Sequence, residues 1–298
     1  MHASLSPPSK DDGYLQTFRH AFDETFGWEV RRGLELAIFH TFAVPAISEI
    51  LDQTGEFTGR GQKRYDDTVA LLREIARDGP ASPRGRAAIR RMNLIHRPYR
   101  IRNDDLIYVL ATFIVIPVRW IGSYGWRDLT AAEIGAAVQY YRTVGRLMGI
   151  RQLPETYQEF AGYLDAYERD HHSFAEANRR LAESLIAVIG SWAPRPARPA
   201  ARHSVAAALG SRLCRDLGLP EPSRLIRACV HAALLARAAV KRLVPPLRRP
   251  RRSPRRLRSY PRGYALSDVG PARATGKEPG AGRDRHQRPA PSLMLTAS

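Results

Sequence analysis

An all-α fold, one multi-helix domain with a basic C-terminal tail, is what this sequence predicts, and three observations predict it. Apolar residues recur at helical spacing in almost every segment from Tyr14 to Leu243. Many of those segments are bracketed by residues that start or stop helices, such as Ser82-Pro83, Thr130 with Glu133, Gly79 and Gly149. No alternating apolar-polar run of strand length occurs, and 44% hydrophobic residues in a chain of 298 fill a sizeable core.

Residues 1–13 read as a disordered N-terminus, and the all-helical domain as 14–245. Leu15, Phe18, Phe22 and Phe26 mark a short amphipathic helix. The next stretch, GLELAIFHTFAVPAISEILDQTG, is apolar almost all round and should break just before Pro45 and end at Gly55. A helix from about Gln62 to Arg77 follows, with Val69, Leu72 and Ile75 inward and Gly79 closing it. Ser82 caps the next, with Pro83 at its first position, and this helix carries Ala88, Met92 and Ile95 inward and ends at His96. Asn103-Asp104-Asp105 opens an apolar helix in which Pro117 should bend or end the axis. Thr130 and Thr156, each with Glu three residues on, start two more helices. The pattern after Thr156 runs to Trp192 with an interruption near His171. Residues 193–202 read as a Pro/Arg connector, followed by helical patterns near 205–217 and 223–243. Residues 246–298 are Arg/Pro-rich and too poor in apolar surface to fold alone.

The formal charge of +18 is uneven: residues 201–298 hold 21 Lys/Arg against 5 Asp/Glu. Attraction to an anionic membrane therefore belongs to the C-terminal part. Nucleic-acid binding rests on that charge alone, with no stacking platform to support it. Cys214 and Cys229 form no CxxC pair and read as buried thiols of a reducing compartment. The N-terminus has no apolar signal core, and the longest apolar run, Leu106–Val118, is short of the ~20 residues that cross a bilayer. The expected location is cytoplasmic with peripheral membrane contact. Nothing in the sequence specifies an oligomeric state.

The chemistry-bearing residues concentrate between Arg64 and His96. Arg64 and Thr68 are four residues apart on one helical face, and His96 closes the following helix. His40 and His96 are the histidines in the most apolar settings. Spacing alone reads them more often as core histidines than as ligands, although a neutral imidazole in a helical pocket also suits an iron. His171 and His172 read as surface residues, since the Glu-x-x-His pairs of di-iron bundles are missing. No GxGxxG, P-loop, GxSxG or HExxH motif is present.

In that setting the chain resembles the MpaB-type oxygenases, whose catalytic domain is shared with the rubber oxygenases known as latex clearing proteins. The resemblance runs through TFAVPAISEILDQTGEFTGRGQKRYDDT, RGRAAIRRMNLIHRPYRIRNDDLIYVLATF, PVRWIGSYGWRDLT, VGRLMGI and YERDHHSFAEANRR, with an echo in SYPRGY. It covers about residues 30–192. It implies an all-helical domain that binds haem b through one histidine, here His96, with the Arg-x-x-x-Thr pair on Arg64 and Thr68. It also implies O2-dependent cleavage of a carbon–carbon double bond in an isoprenoid or other lipophilic substrate. The rubber oxygenase motif has lysine just before its threonine. Asp67 stands there in this chain, which leaves the distal side of the iron open or supplies a base. On this pattern Arg64 pairs with a propionate or orients oxygen, Thr68 donates a hydrogen bond, and Thr112 is a further pocket residue or bonds back to its own helix. The alternative is a non-enzymatic helical lipid- or isoprenoid-binding protein with a basic membrane-associating tail.

Overall fold

The computed structural model describes residues 10–243 and 257–271. These residues are all-α. In order they form α1 (Lys10–Phe18), a π-helical stretch (Arg19–Thr25), α2 (Gly27–Phe42), α3 (Pro45–Gln53), α4 (Glu56–Asp78) and α5 (Pro83–His96). Then come α6 (Asn103–Tyr124), α7 (Ala131–Met148), α8 (Tyr157–His171), α9 (Glu176–Ser191), α10 (Arg198–Asp216) and α11 (Arg224–Leu243). The local signals act as their chemistry dictates. Ser82 Oγ accepts from the Gly85 amide at 2.9 Å, Thr130 and Glu133 form a reciprocal capping box, and Pro45 starts α3 after a bend of 96° from α2.

α6 is the axis of the packing. Tyr108, Ala111, Ile114 and Val115 are fully buried, and each such large apolar side chain contributes about 1.5–3 kcal/mol. Pro117 neither ends nor breaks it; the helix continues to Tyr124. The missing proline amide is outweighed by burial on both sides, because α2 lies directly against this turn. A Cβ placed on Gly33 of α2 would stand 2.5 Å from the Pro117 Cα, so the two backbones meet where only glycine fits. α6 is also the one unbroken helix among the described residues that is long and apolar enough to cross a membrane, beyond the 13-residue run visible in sequence. Two thirds of that window is buried inside the fold.

Two apolar clusters result. The larger joins α1, α4, α5, α6, α7 and α8 through residues such as Phe18, Ile75, Ile89, Ile114, Tyr141 and Phe160. The second joins the end of α2 to α4, α9 and α10 through Phe39, Phe42, Phe57, Leu185 and Leu213. α11 is held differently. Its apolar residues Leu225, Leu235, Val240 and Leu243 are exposed, while Arg237 and Lys241 reach the fully buried Glu29 of α2 at 2.9 and 3.2 Å.

Several expectations are corrected. Helix α1 begins at Lys10, inside the stretch read as disordered, while residues 1–9 lie outside the described ones. The 193–202 connector is largely helical, because Pro199 sits in the first turn of α10, where a proline amide would be unpaired anyway. Cys214 is buried but Cys229 is exposed. Within the tail, residues 257–271 fold back as a strap over α4 and α5, with Leu257, Tyr260 and Val269 buried. The strap's Ser259 amide donates to Asp66 at 2.7 Å, Tyr264 Oη to Glu74 at 3.0 Å, and Arg91 Nε to the Val269 carbonyl at 2.9 Å. The rest of 246–298 lies outside the described residues.

Candidate functional site: the α4–α5 hairpin and the α2–α8 polar cluster

α4 and α5 pack together as a hairpin that joins Arg64 to Thr68 by a hydrogen bond and brings Arg64 close enough to His96 for its charge to act on the ring. Arg64 Nη1 donates to Thr68 Oγ1, and the Thr68 hydroxyl donates back to the Arg64 carbonyl at 3.2 Å. Thr68 thus fixes the guanidinium, as i,i+4 spacing on one helical face allows. The ring of Phe57 lies beneath it, 5.1 Å from centroid to Cζ. Arg64 makes no ion pair among the described residues, so burial lowers its pKa, with the more distant Asp67, Glu56 and Tyr99 opposing. A desolvated cation without a counter-ion favours an anionic ligand.

His96 lies half-buried at the end of α5. Burial, and then the charge of Arg64, push its pKa down from 6.5 to about 4. The ring is therefore neutral at pH 7 and its lone pair is free, the state in which imidazole ligates a metal. This displacement makes stability pH-dependent. The unfolded ring takes up a proton near pH 6.5 and the folded ring only near 4. The contribution of His96 is complete above pH 6.5 and is lost as pH falls toward 4. At 1.36 kcal/mol per pH unit this is about 3 kcal/mol, reduced toward about 2 by partial solvent access. Urea unfolding of cofactor-free protein at pH 7 and pH 4.5 should show His96→Gln losing about 2 kcal/mol less than wild type across that interval.

Asp67 is buried on the neighbouring face of α4, and its oxygens are engaged. Lys63 Nζ lies 2.8 Å from Oδ2, and Tyr260 of the strap donates to Oδ1. Lys63 also donates to the Gly270 carbonyl at 2.8 Å. Asp67 thereby fastens the strap to the hairpin. Thr112 is fully buried in α6, and its hydroxyl donates to the Val109 carbonyl at 2.7 Å.

A second polar cluster was not legible as one. His40 near the end of α2, Glu168 in α8 and His172 just past α8 converge, their ligand atoms all lying within 4.8 Å of one another. His40 Nδ1 is 2.6 Å from Glu168 Oε1, and Tyr108 Oη is 2.9 Å from His172 Nε2. The His172 side chain is 3% exposed, which corrects the surface reading. The Ser173 amide, bonded to the Ala43 carbonyl at 3.2 Å, pins the loop that carries it. Burial works against ionisation of Glu168, but the hydrogen bond and charge of His40 outweigh it and hold the carboxyl below its usual range. Burial likewise lowers His172. The signal in sequence was Glu168 and His172 four residues apart. His40 is 128 positions from Glu168, and only the fold joins them.

The sequence pattern of the family described as "ER-bound oxygenase mpaB/B'/Rubber oxygenase, catalytic domain" matches residues 27–241. That span contains both clusters. The chain is 29% identical over 232 residues to the ER-bound oxygenase mpaB' of Penicillium brevicompactum, covering 72% of this chain and 55% of that protein. It is 36% identical over 122 residues to the ER-bound oxygenase mpaB of the same organism, covering 39% of this chain and 31% of the relative. To the ER-bound oxygenase mpaB of Penicillium roqueforti (strain FM164) it is 35% identical over 122 residues, covering 39% and 41%. The chain spans about half, or less, of the length of these relatives. On the match over residues 27–241, this chain belongs to the MpaB/rubber oxygenase catalytic-domain family of oxygenases.

Proposed function

We propose that the protein is a haem b-dependent oxygenase that uses O2 to cleave a carbon–carbon double bond in an isoprenoid or similar lipophilic substrate. The observation that carries this reading is the pairing of His96, neutral at pH 7, with Arg64, a desolvated guanidinium without a carboxylate partner, on one hairpin of the family's catalytic domain. A neutral imidazole is one of the usual protein ligands of haem iron, and a guanidinium pairs well with the carboxylate of a propionate. The donor set fits the group.

On this reading His96 would hold the iron, and Arg64, in the orientation that Thr68 and Phe57 impose, would pair with a propionate. When bound, the haem supplies the oxygen chemistry, and the protein sets ligation, polarity and access. The Thr68 hydrogen is taken by its own helix, so Thr68 acts on the site through Arg64. Asp67 contributes by anchoring Lys63 and Tyr260, which keep the strap closed over the hairpin. The relatives' names describe them as ER-bound. For this chain we assign the lipid-facing role to α11, whose exposed Leu225, Leu235, Val240 and Leu243 share one face opposite the docked Arg237 and Lys241.

Purified protein reconstituted with haem should show a Soret band and a b-type pyridine haemochrome. His96→Ala should lose both while keeping wild-type helical content by circular dichroism. An unchanged spectrum in His96→Ala would remove His96 as the ligand. Absence of any haem binding by the wild type would favour the non-enzymatic lipid-binding alternative, because no other part of that reading requires iron.

A further inference from the structure

The hairpin reading leaves the α2–α8 cluster without a role. Two histidines and one carboxylate converge there from two separate places in the chain, the end of α2 and the end of α8, each side chain at most 21% exposed. They adjoin a cavity of about 250 Å³ lined by Leu209, Gly210, Ser211, Arg212, Leu213 and Asp216 of α10. α10 yields at this wall: Gly210 adopts φ +79° and interrupts the helix, and no atom lies within 4 Å of where its Cβ would be. The three donors therefore face one another on one side and open space on the other.

We propose that His40, Glu168 and His172 bind a divalent first-row transition metal ion, with its remaining coordination positions open to this cavity for water or another small oxygen ligand. Two imidazoles and one carboxylate form a donor set that suits zinc or iron(II) when coordination positions are left open. His40 ligates through Nδ1, which already stands 2.6 Å from Glu168 Oε1. His172 ligates through Nε2, 4.0 Å from the same oxygen. Bonds of about 2.0–2.2 Å to a shared ion place ligand atoms roughly 3 Å apart, so the first distance opens slightly and the second closes.

Two unsatisfied features of the cluster point to an ion. Asp216 Oδ2 is buried and accepts no hydrogen bond among the described residues; His172 Nδ1 stands 3.6 Å from it and Arg212 Nε 4.0 Å. That is where the orienting acceptor of a ligating histidine belongs: Nδ1–H turned to a carboxylate fixes the tautomer that presents the Nε2 lone pair. Closing this gap by less than 1 Å satisfies the orphaned oxygen. Secondly, the single hydroxyl hydrogen of Tyr108 faces three groups at once, the His40 carbonyl at 3.0 Å, Glu168 Oε1 at 3.4 Å and His172 Nε2 at 2.9 Å. An ion that takes the Nε2 lone pair and the Glu168 oxygen leaves that hydrogen to the carbonyl.

This site shares no residue with the Arg64–His96 hairpin, and the test separates the two. The full chain, stripped with chelator, is dialysed against buffered Zn(II), and bound zinc is counted by mass spectrometry. Wild type and His96→Ala should each retain one zinc per chain. Glu168→Gln and His172→Gln, with wild-type helical content, should bind at least tenfold more weakly. Asp216→Asn keeps all three ligands and should weaken binding roughly tenfold. If the ligand variants do not fold, Asp216→Asn decides. No stoichiometric zinc on the wild type, or equal zinc on the folded variants, overturns the proposal.

Discussion

Gly33→Ala is expected to lower stability by about 2 kcal/mol, although alanine is the better helix former. The new Cβ would stand 2.5 Å from the Pro117 Cα and 3.1 Å from its nitrogen. Both atoms belong to the α6 backbone, so no side chain can rotate away. The helices must part by roughly 1 Å, and overpacking of this kind costs about 1–3 kcal/mol, occasionally more. The propensity gain of about 1 kcal/mol offsets a part. For a fold of this size the loss corresponds to a Tm lower by about 4–8 °C. Gly135 in α7 provides the control. It is exposed with nothing within 4 Å of a built Cβ, so Gly135→Ala should raise Tm or leave it unchanged. A Gly33→Ala protein as stable as wild type would mean that the α2–α6 crossing is looser than described.

Glu29→Gln should cost about 2–3 kcal/mol, and its effect should be felt at the far end of the chain. Glu29 is fully buried, and Arg237 and Lys241 of α11 both end on it. Lys241 also donates to the Thr25 carbonyl at 3.1 Å, and the Arg237 guanidinium lies 3.5 Å over the ring of Trp28. A neutral amide turns donor hydrogens toward two cations and leaves them repelling each other. Breaking a buried pair costs about 3–5 kcal/mol, and the cations, each about one third exposed, recover part of it by rehydration. Arg237→Ala alone should cost less, since Lys241 still neutralises the acid. Urea unfolding measures both, and hydrogen exchange should show α11 losing protection first in Glu29→Gln. If α11 protection is unchanged, the ion pairs do not hold the helix.

What could be read from the sequence was mostly what neighbours along the chain decide. Ser82, Thr130 and Gly149 act on amides and carbonyls a few residues away, so their helix ends were legible. Arg64 and Thr68 were legible as a pair for the same reason, being one turn apart. Pro117 was read for its local cost, and the outcome was set by α2 packing against it. Tyr260 was hidden in an Arg/Pro-rich tail because its partner, Asp67, is 193 positions upstream. His172 was read as a surface residue because the Glu-x-x-His pairs of di-iron bundles are missing from the sequence. It is buried by partners distant in sequence: the α2–α3 corner held by Ser173 and Ala43, Tyr108 of α6 and Asp216 of α10. The weight placed on His96 came from the ordered set of matching segments, since a single inward histidine carries little information.

The strap gives the domain an order of assembly. α4 and α5 are consecutive and can pair from local contacts as soon as both are synthesised, setting Arg64 and His96 side by side. Their fastening arrives much later: Ser259 and Tyr260 reach α4 across 193 positions, and Gly270 reaches Lys63 across 207. The entropy of closing so long a loop rises only by about 0.6 kcal/mol per doubling, so the distance is thermodynamically tolerable. Its cost is in time. A nascent chain holds an unfastened hairpin until residues 257–271 have been synthesised, and that interval is when the face under the strap stands open to solvent.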